Sequence, residues 1–182
     1  MLMKGEQLLA APAARVWAAL NDPEFLKDCV PGCESLERVS DTEYRALLNA
    51  AIGPVRAKFT GKLLLSDLDP PNSYRITFEG AGGAAGFAKG GAEVALAAEG
   101  TGTRLTYVAN AHVGGKLAQI GSRLVDGVAA KMAGEFFARF KDKLGGEAPP
   151  AAVPVAPAAR AMVFWAIAAI IAIAAAGYWL SR

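Results

Sequence analysis

The sequence predicts an α+β fold: a curved antiparallel sheet of seven strands wrapped around one long C-terminal helix, with a transmembrane helix beyond it. Three observations carry this expectation. Apolar and polar residues alternate in one segment after another between about residues 35 and 113, the period-two signature of half-buried antiparallel strands. After Gly114-Gly115 the apolar period lengthens to three or four, as on one face of a helix. From Ala161 to Leu180 there is no charged residue. A helix of that length, at about 1.5 Å per residue, spans roughly 30 Å, the thickness of a bilayer's hydrocarbon.

Taken in order, Lys4 to Ala10 reads as the first strand. Pro12 suits the start of a helix to about Leu20, because the amide hydrogen it lacks has no partner there anyway. That helix turns Val16, Trp17 and Leu20 toward a core. Asn21-Asp22-Pro23 breaks it, and Asn21 or Asp22 can cap a second short helix holding Phe25 and Leu26. Val30-Pro31-Gly32-Cys33 is a turn. Strands follow at Ser35 to Val39 and Glu43 to Ala51, joined at Ser40-Asp41-Thr42. Gly53-Pro54 turns the chain into Val55 to Leu65, where Val55, Ala57, Phe59, Gly61, Leu63 and Leu65 share one face. Tyr74, Ile76 and Phe78 repeat the pattern, as do Val94, Leu96 and Ala98. The last strand puts Leu105, Tyr107, Ala109, Ala111 and Val113 inward. The long helix then carries Leu117, Ile120, Leu124, Val128, Met132, Phe136, Phe140 and Leu144, with a Glu135/Arg139 pair on its polar face. Gly145-Gly146 closes it. A sheet and a helix that are each apolar on one side bury those sides against one another.

Residues 1–146 form the expected folded domain. Residues 147–159, with Pro149, Pro150, Pro154 and Pro157, read as a Pro/Ala-rich linker reaching up to about 40 Å at roughly 3.1 Å per residue. Residues 160–182 read as a single-pass C-terminal anchor. Trp165, Tyr178 and Trp179 suit the headgroup level, and Arg160 and Arg182 bracket the apolar run. MLMKGEQLLAAP lacks the apolar region of a secretory leader, so the expected location is the cytoplasmic membrane, with the domain facing the cytoplasm.

Charge and composition exclude several functions. Residues 1–146 hold 17 Lys/Arg and 16 Asp/Glu, and so lack the basic surface that nucleic acid requires. Two cysteines, Cys29 and Cys33, and one histidine, His112, are too few and too scattered for a structural zinc site. A Cys29–Cys33 disulfide is not expected in a reducing compartment. No nucleophile-and-base set has a spacing that can be placed, so a non-catalytic protein is expected.

The chemistry offered instead is apolar binding. Phe25, Leu26, Phe59, Phe78, Phe87, Tyr107, Leu117, Ile120, Gly121 and Leu124 are the candidate lining of a cavity between sheet and helix, where small residues leave space and carbon surrounds it. A completely filled core is the alternative. Gly80-Ala81-Gly82-Gly83-Ala84-Ala85 fits a dinucleotide-binding pattern, but a strand follows it where that motif needs a helix. Six glycines between residues 80 and 91 suggest either a mobile lip carrying Phe87 and Lys89 over the cavity or a slack turn.

Several separated motifs occur in an order that resembles a known family. They are Val30-Pro31-Gly32-Cys33-Glu34-Ser35-Leu36-Glu37, Gly53-Pro54-Val55, Gly86-Phe87-Ala88-Lys89-Gly90, Gly115-Lys116-Leu117-Ala118-Gln119-Ile120-Gly121-Ser122-Arg123-Leu124 and the pair Phe136-Phe137. Residues 3 to 144 resemble the CoxG family of carbon monoxide dehydrogenase subunits, within the SRPBCC superfamily. The resemblance implies a helix-grip fold like that of START and Bet v 1 proteins. It implies an accessory protein that recruits a molybdenum-containing CO dehydrogenase, or a related molybdenum hydroxylase, to the membrane. Electrons from such an enzyme pass to a lipid-dissolved quinone, so menaquinone or ubiquinone, or another apolar lipid, is the expected ligand. The alternative is a plain membrane anchor or assembly factor with no ligand.

Overall fold

The computed structural model describes residues 1–146. The chain divides into two units, Met1–Ala148 and Pro149–Arg182. The linker and anchor expected at 147–159 and 160–182 therefore lie outside the described residues. Among the described residues no helix is long and apolar enough to cross a membrane.

Seven strands form one antiparallel sheet: β1 (Leu2–Leu9), β2 (Cys33–Arg38), β3 (Glu43–Ile52), β4 (Val55–Asp69), β5 (Ser73–Ala81), β6 (Phe87–Glu99) and β7 (Gly102–Gly114). Their order is β1-β7-β6-β5-β4-β3-β2. From β2 to β7 each strand pairs with the next in sequence, so short turns build that part of the sheet. β1 closes the far edge against β7 because two helices lie between β1 and β2. These are α1 (Ala13–Leu20) and α2 (Pro23–Cys29). Asp22 caps α2, its carboxylate accepting from the amides of Glu24 and Phe25 at 3.0 and 3.3 Å. Pro12 is the N-cap of α1.

The alternation read from the sequence sets the faces. In β4, Phe59 is buried and Val55, Ala57, Gly61, Leu63 and Leu65 are half-buried, while the intervening residues are exposed. The curved sheet turns this face toward a C-terminal helix.

That helix differs from the expected one. It is broken into α3 (Lys116–Gln119) and α4 (Ser122–Gly146), with Gly121 between them at φ +94°. Only glycine adopts that backbone cheaply. The break rotates the helix face: Val125 is buried and Leu124 is 42% exposed. The pair expected between Glu135 and Arg139 is replaced by Lys131–Glu135 at 3.7 Å.

The core is uneven along its length. At one end α1, α2 and the last turns of α4 fill the grip. Leu9, Val16, Phe25, Tyr74, Leu96, Leu105, Phe140 and Leu144 form one buried cluster. Phe140 is fully buried, edge-on to Phe25 at 5.2 Å and beside Phe136 at 5.7 Å. Two ties hold the layers. The Thr103 hydroxyl donates to the Ala11 carbonyl at 2.7 Å. Lys143 reaches from α4 to Asp28 of α2 at 2.7 Å.

Candidate functional site

The other end of the grip is hollow because its inward residues are small. Ala46 pairs with Gly61, Gly61 with Gly80, Gly80 with Ala88 and Ala88 with Val113. One row across five strands is thus built mainly from Ala and Gly. The facing half of α4 offers Val125, Val128, Ala129 and Met132, whereas its other half offers Phe136, Phe137 and Phe140. Side chains this short do not meet across the gap. They leave a cavity of about 410 Å³, walled by Ala46, Leu48, Ala50, Ile52, Phe59, Leu63, Phe78, Ala111, Val113, Leu117 and the four α4 residues.

A second chamber of about 280 Å³ lies deeper toward the filled end. Ala46, Leu48 and Leu63 belong to the walls of both. The deeper one adds Leu20, Leu26, Leu36, Leu65, Ile76, Val94 and Leu105, with Phe136 and Phe137 from α4 and three tyrosines, Tyr44, Tyr74 and Tyr107. Small-molecule sites run to roughly 300–1,000 Å³ and are mostly apolar with a few polar groups. The outer chamber falls in that range, and the inner one extends it.

The polar groups of the inner chamber are few and perturbed. Burial pushes the Tyr74 phenol well above its ordinary value, and the nearby Tyr44 adds to the rise. Tyr44 is raised by burial too, against the pull of Arg38; its hydroxyl donates to the Asn21 carbonyl at 3.1 Å. Burial also raises the thiols of Cys33, in this wall, and of Cys29, in the filled core. Each thiol donates to a backbone carbonyl, Cys29 to Phe25 and Cys33 to Ser35, and both cysteines are free. The raised groups stay neutral, which suits an apolar ligand. Among the described residues no three metal-ligating side chains converge.

The residues anticipated from the sequence fall into three groups. Phe59, Phe78 and Leu117 line the outer chamber, and Leu26 and Tyr107 line the inner one. Phe25 and Ile120 are packing residues. Phe25 sits in the filled core, and Ile120 backs the cluster of Phe59, Ala85 and Leu117. Three expectations are corrected. Phe87 is 42% exposed on the convex face, its ring beside His112 at 6.2 Å and over Gly114, because strand parity turns it outward. Gly121 is the helix break itself, with no atom near the place of a Cβ. Leu124 is rotated away by that break and rests on the β3–β4 turn at Gly53.

The glycine-rich segment is closely packed. Residues Gly83–Ala85 form a 3-10 turn, and Ala85 is buried against Phe59 and Leu117. A Cβ on Gly82 would collide with the Phe59 ring, and one on Gly115 would lie 2.6 Å from the Gly86 Cα. Gly86 and Gly115 let two backbones meet closely, and Gly82 leaves room for the Phe59 ring.

Other lining residues were missed. Val125 and Ala129 lie on the apolar stripe of α4 once its phase restarts at Ser122, a signal Gly121 could have supplied. Ala46, Ala50, Gly80 and Ala88 carry no signal as single residues. The meaning of Ala46, Gly80 and Ala88 appears only when the register sets them in one row, with Ala50 on the same face of β3.

Comparison with known proteins agrees with this geometry. A family model for CoxG, a carbon monoxide dehydrogenase subunit, matches residues 5–145. A conserved protein from Geobacillus kaustophilus of known crystal structure is 33% identical. The match covers 80% of this chain and 95% of that one, with a TM-score of 0.74. Proteins from Thermus thermophilus (19% identity, 79% and 97% covered, TM-score 0.61) and Rhizobium leguminosarum (18%, 81% and 95%, 0.64) share the fold. No curated protein matches the chain. With a helix gripped by a seven-stranded sheet and a family match over nearly all of the described residues, this chain belongs to the CoxG family of carbon monoxide dehydrogenase subunits.

Proposed function

We propose that this protein is a membrane-tethered, non-catalytic accessory of a molybdenum-containing CO dehydrogenase, or a related molybdenum hydroxylase, and that it binds a respiratory quinone. The observation that carries the ligand half of this reading is the carbon-lined outer chamber of about 410 Å³ with a deeper chamber behind it. Family membership supports the dehydrogenase half. The apolar run from Ala161 to Leu180 supports the tether and a cytoplasmic-membrane location. A cavity of this size accommodates a quinone head and a few prenyl units, the rest of the tail extending outward. Burying several hundred Å² of prenyl surface stabilises by about 25 cal/mol per Å² relative to water. Relative to a bilayer the gain is much smaller, so selectivity must come from shape and from polar contacts to the head. A tether keeps the domain next to the lipid that holds the quinone and raises the effective concentration of both.

The test is to purify the full chain in detergent from a quinone-producing host, extract it with solvent and identify the lipid by mass spectrometry. Menaquinone or ubiquinone in stoichiometric amount is the expected result. Absence of bound lipid, together with no binding on titration, would leave the plain anchor. Removing residues 147–182 should separate the dehydrogenase from the membrane under either reading.

A further inference from the structure

The two chambers differ in what they offer a ligand. The outer one is walled mainly by carbon, with Lys62 and Glu79 also in its lining. The inner one contains four side chains with a polar or thiol group: Cys33, Tyr44, Tyr74 and Tyr107. Two of these are hydrogen-bonded. The Cys33 thiol donates to the Ser35 carbonyl, and the Tyr44 hydroxyl donates to the Asn21 carbonyl. The Tyr107 hydroxyl has no hydrogen-bond partner among the described residues and lies against Gly5 of the edge strand β1, where a Cβ would come within 2.6 Å of it. Tyr74 remains. It is only 6% exposed, and its ring stands edge-on to Trp17 at 5.3 Å. Among the described residues its hydroxyl has no hydrogen-bond partner.

Nor is that hydroxyl sealed in protein. No side-chain oxygen of the described residues is both fully occluded and unpaired. Tyr74 is an inward residue of β5, and the open space on the inner side of β5 at that point is the inner chamber. A buried hydroxyl without a partner is costly, and an acceptor brought by a ligand removes that cost. Burial holds the phenol protonated well beyond neutral pH, so it remains a donor.

We propose that Tyr74 donates a hydrogen bond to a carbonyl oxygen of the ligand head, so that a carbonyl-bearing apolar ligand lies with its head in the inner chamber and its tail in the outer one. This rests on the ligand-binding reading above and adds an orientation and a selecting residue to it. Phe136 and Phe137 then flank the head ring, with Trp17 next to Tyr74 and with Tyr107 stacked on Phe137 at 5.5 Å. The carbon-lined chamber receives the part of the ligand that needs no partner.

The test uses the full chain in detergent with Trp165→Phe and Trp179→Phe, which leaves Trp17 as the only indole. Ubiquinone-1 is titrated and Trp17 emission is read, since a quinone quenches a nearby indole. N-phenyl-1-naphthylamine, an apolar probe without a carbonyl, is titrated in parallel. In the Trp17-only chain, ubiquinone-1 should quench Trp17 saturably. Tyr74→Phe keeps the ring against Trp17 and removes only the hydroxyl. It should lower ubiquinone-1 affinity about five- to tenfold and leave the affinity for the naphthylamine unchanged. Unchanged quinone affinity in Tyr74→Phe, or an equal loss for both probes, would overturn the role of Tyr74. Saturable binding without quenching of Trp17 would overturn the head-in orientation. If the Trp17-only chain binds no quinone at all, the ligand-binding reading itself fails, a result distinct from the other two.

Discussion

Gly61 and Gly80 face one another across β4 and β5, and each has room for a side chain: a Cβ built on either would have its nearest neighbours 3.8 Å away. Neither position requires glycine for its backbone. The space over this pair is therefore a property of the residues chosen and not of the fold. Gly61→Leu should fill part of the outer chamber, fold normally and raise stability by about 1 kcal/mol through new apolar burial and a less flexible unfolded chain. The same change should abolish quinone binding. Thermal unfolding and solvent extraction of the purified variant check both halves, and a variant that retains its lipid would show that the chamber is not the site.

Phe140 anchors the filled end, with Phe25 and Phe136 around it. Phe140→Ala should cost about 3–5 kcal/mol, the usual range for deleting a fully buried aromatic ring. Urea unfolding measures it. A cost under about 1 kcal/mol would mean that this end of the grip is loosely packed.

Gly121 separates α3 from α4 in a left-handed conformation with open space around it. An alanine there meets no clash and bears only backbone strain. Gly121→Ala should therefore cost about 1–2 kcal/mol. If the two helices were one continuous helix, the substitution would be stabilising, so the sign of the change in urea midpoint decides between the two geometries.

The Asp28–Lys143 pair joins α2 to α4, and Lys143 also lies over the Phe25 ring at 4.7 Å. The hydrogen bond and charge of Lys143 hold the Asp28 carboxyl below its ordinary value of 3.8. A folded-state value below the unfolded one means that the stabilisation is present above about pH 4 and is lost as pH falls through the lower, folded value. Asp28→Asn should flatten that part of the pH profile. Urea midpoints of both proteins between about pH 2 and 6 test this, and added salt should shrink the difference because the carboxylate is exposed.

Most of the fold was legible because it rests on short-range periodicity. The alternation around Phe59 and again around Tyr74 needs only neighbouring residues to be read. So do the Asp22 cap and the Pro12 helix start. The helix face was harder to read. A stripe through Leu117, Ile120 and Leu124 fits an unbroken helix, and one glycine with positive φ moves the buried position to Val125. Phe87 misled for the opposite reason: a large aromatic beside a glycine run suggested a lip, while strand parity alone places it on the convex face.

The sequence by itself determined that a sheet and a helix each have one apolar side, that they must cover one another, and which family the order of motifs resembles. The tertiary structure decided where that cover is incomplete. Ala46, Gly61, Gly80 and Ala88 lie on four different strands, and each is an ordinary small residue in its own strand. Pairing brings them into one row, opposite the half of α4 that lacks phenylalanines. A void is set by what faces what across the sheet and helix, and one-dimensional patterns do not carry that distance.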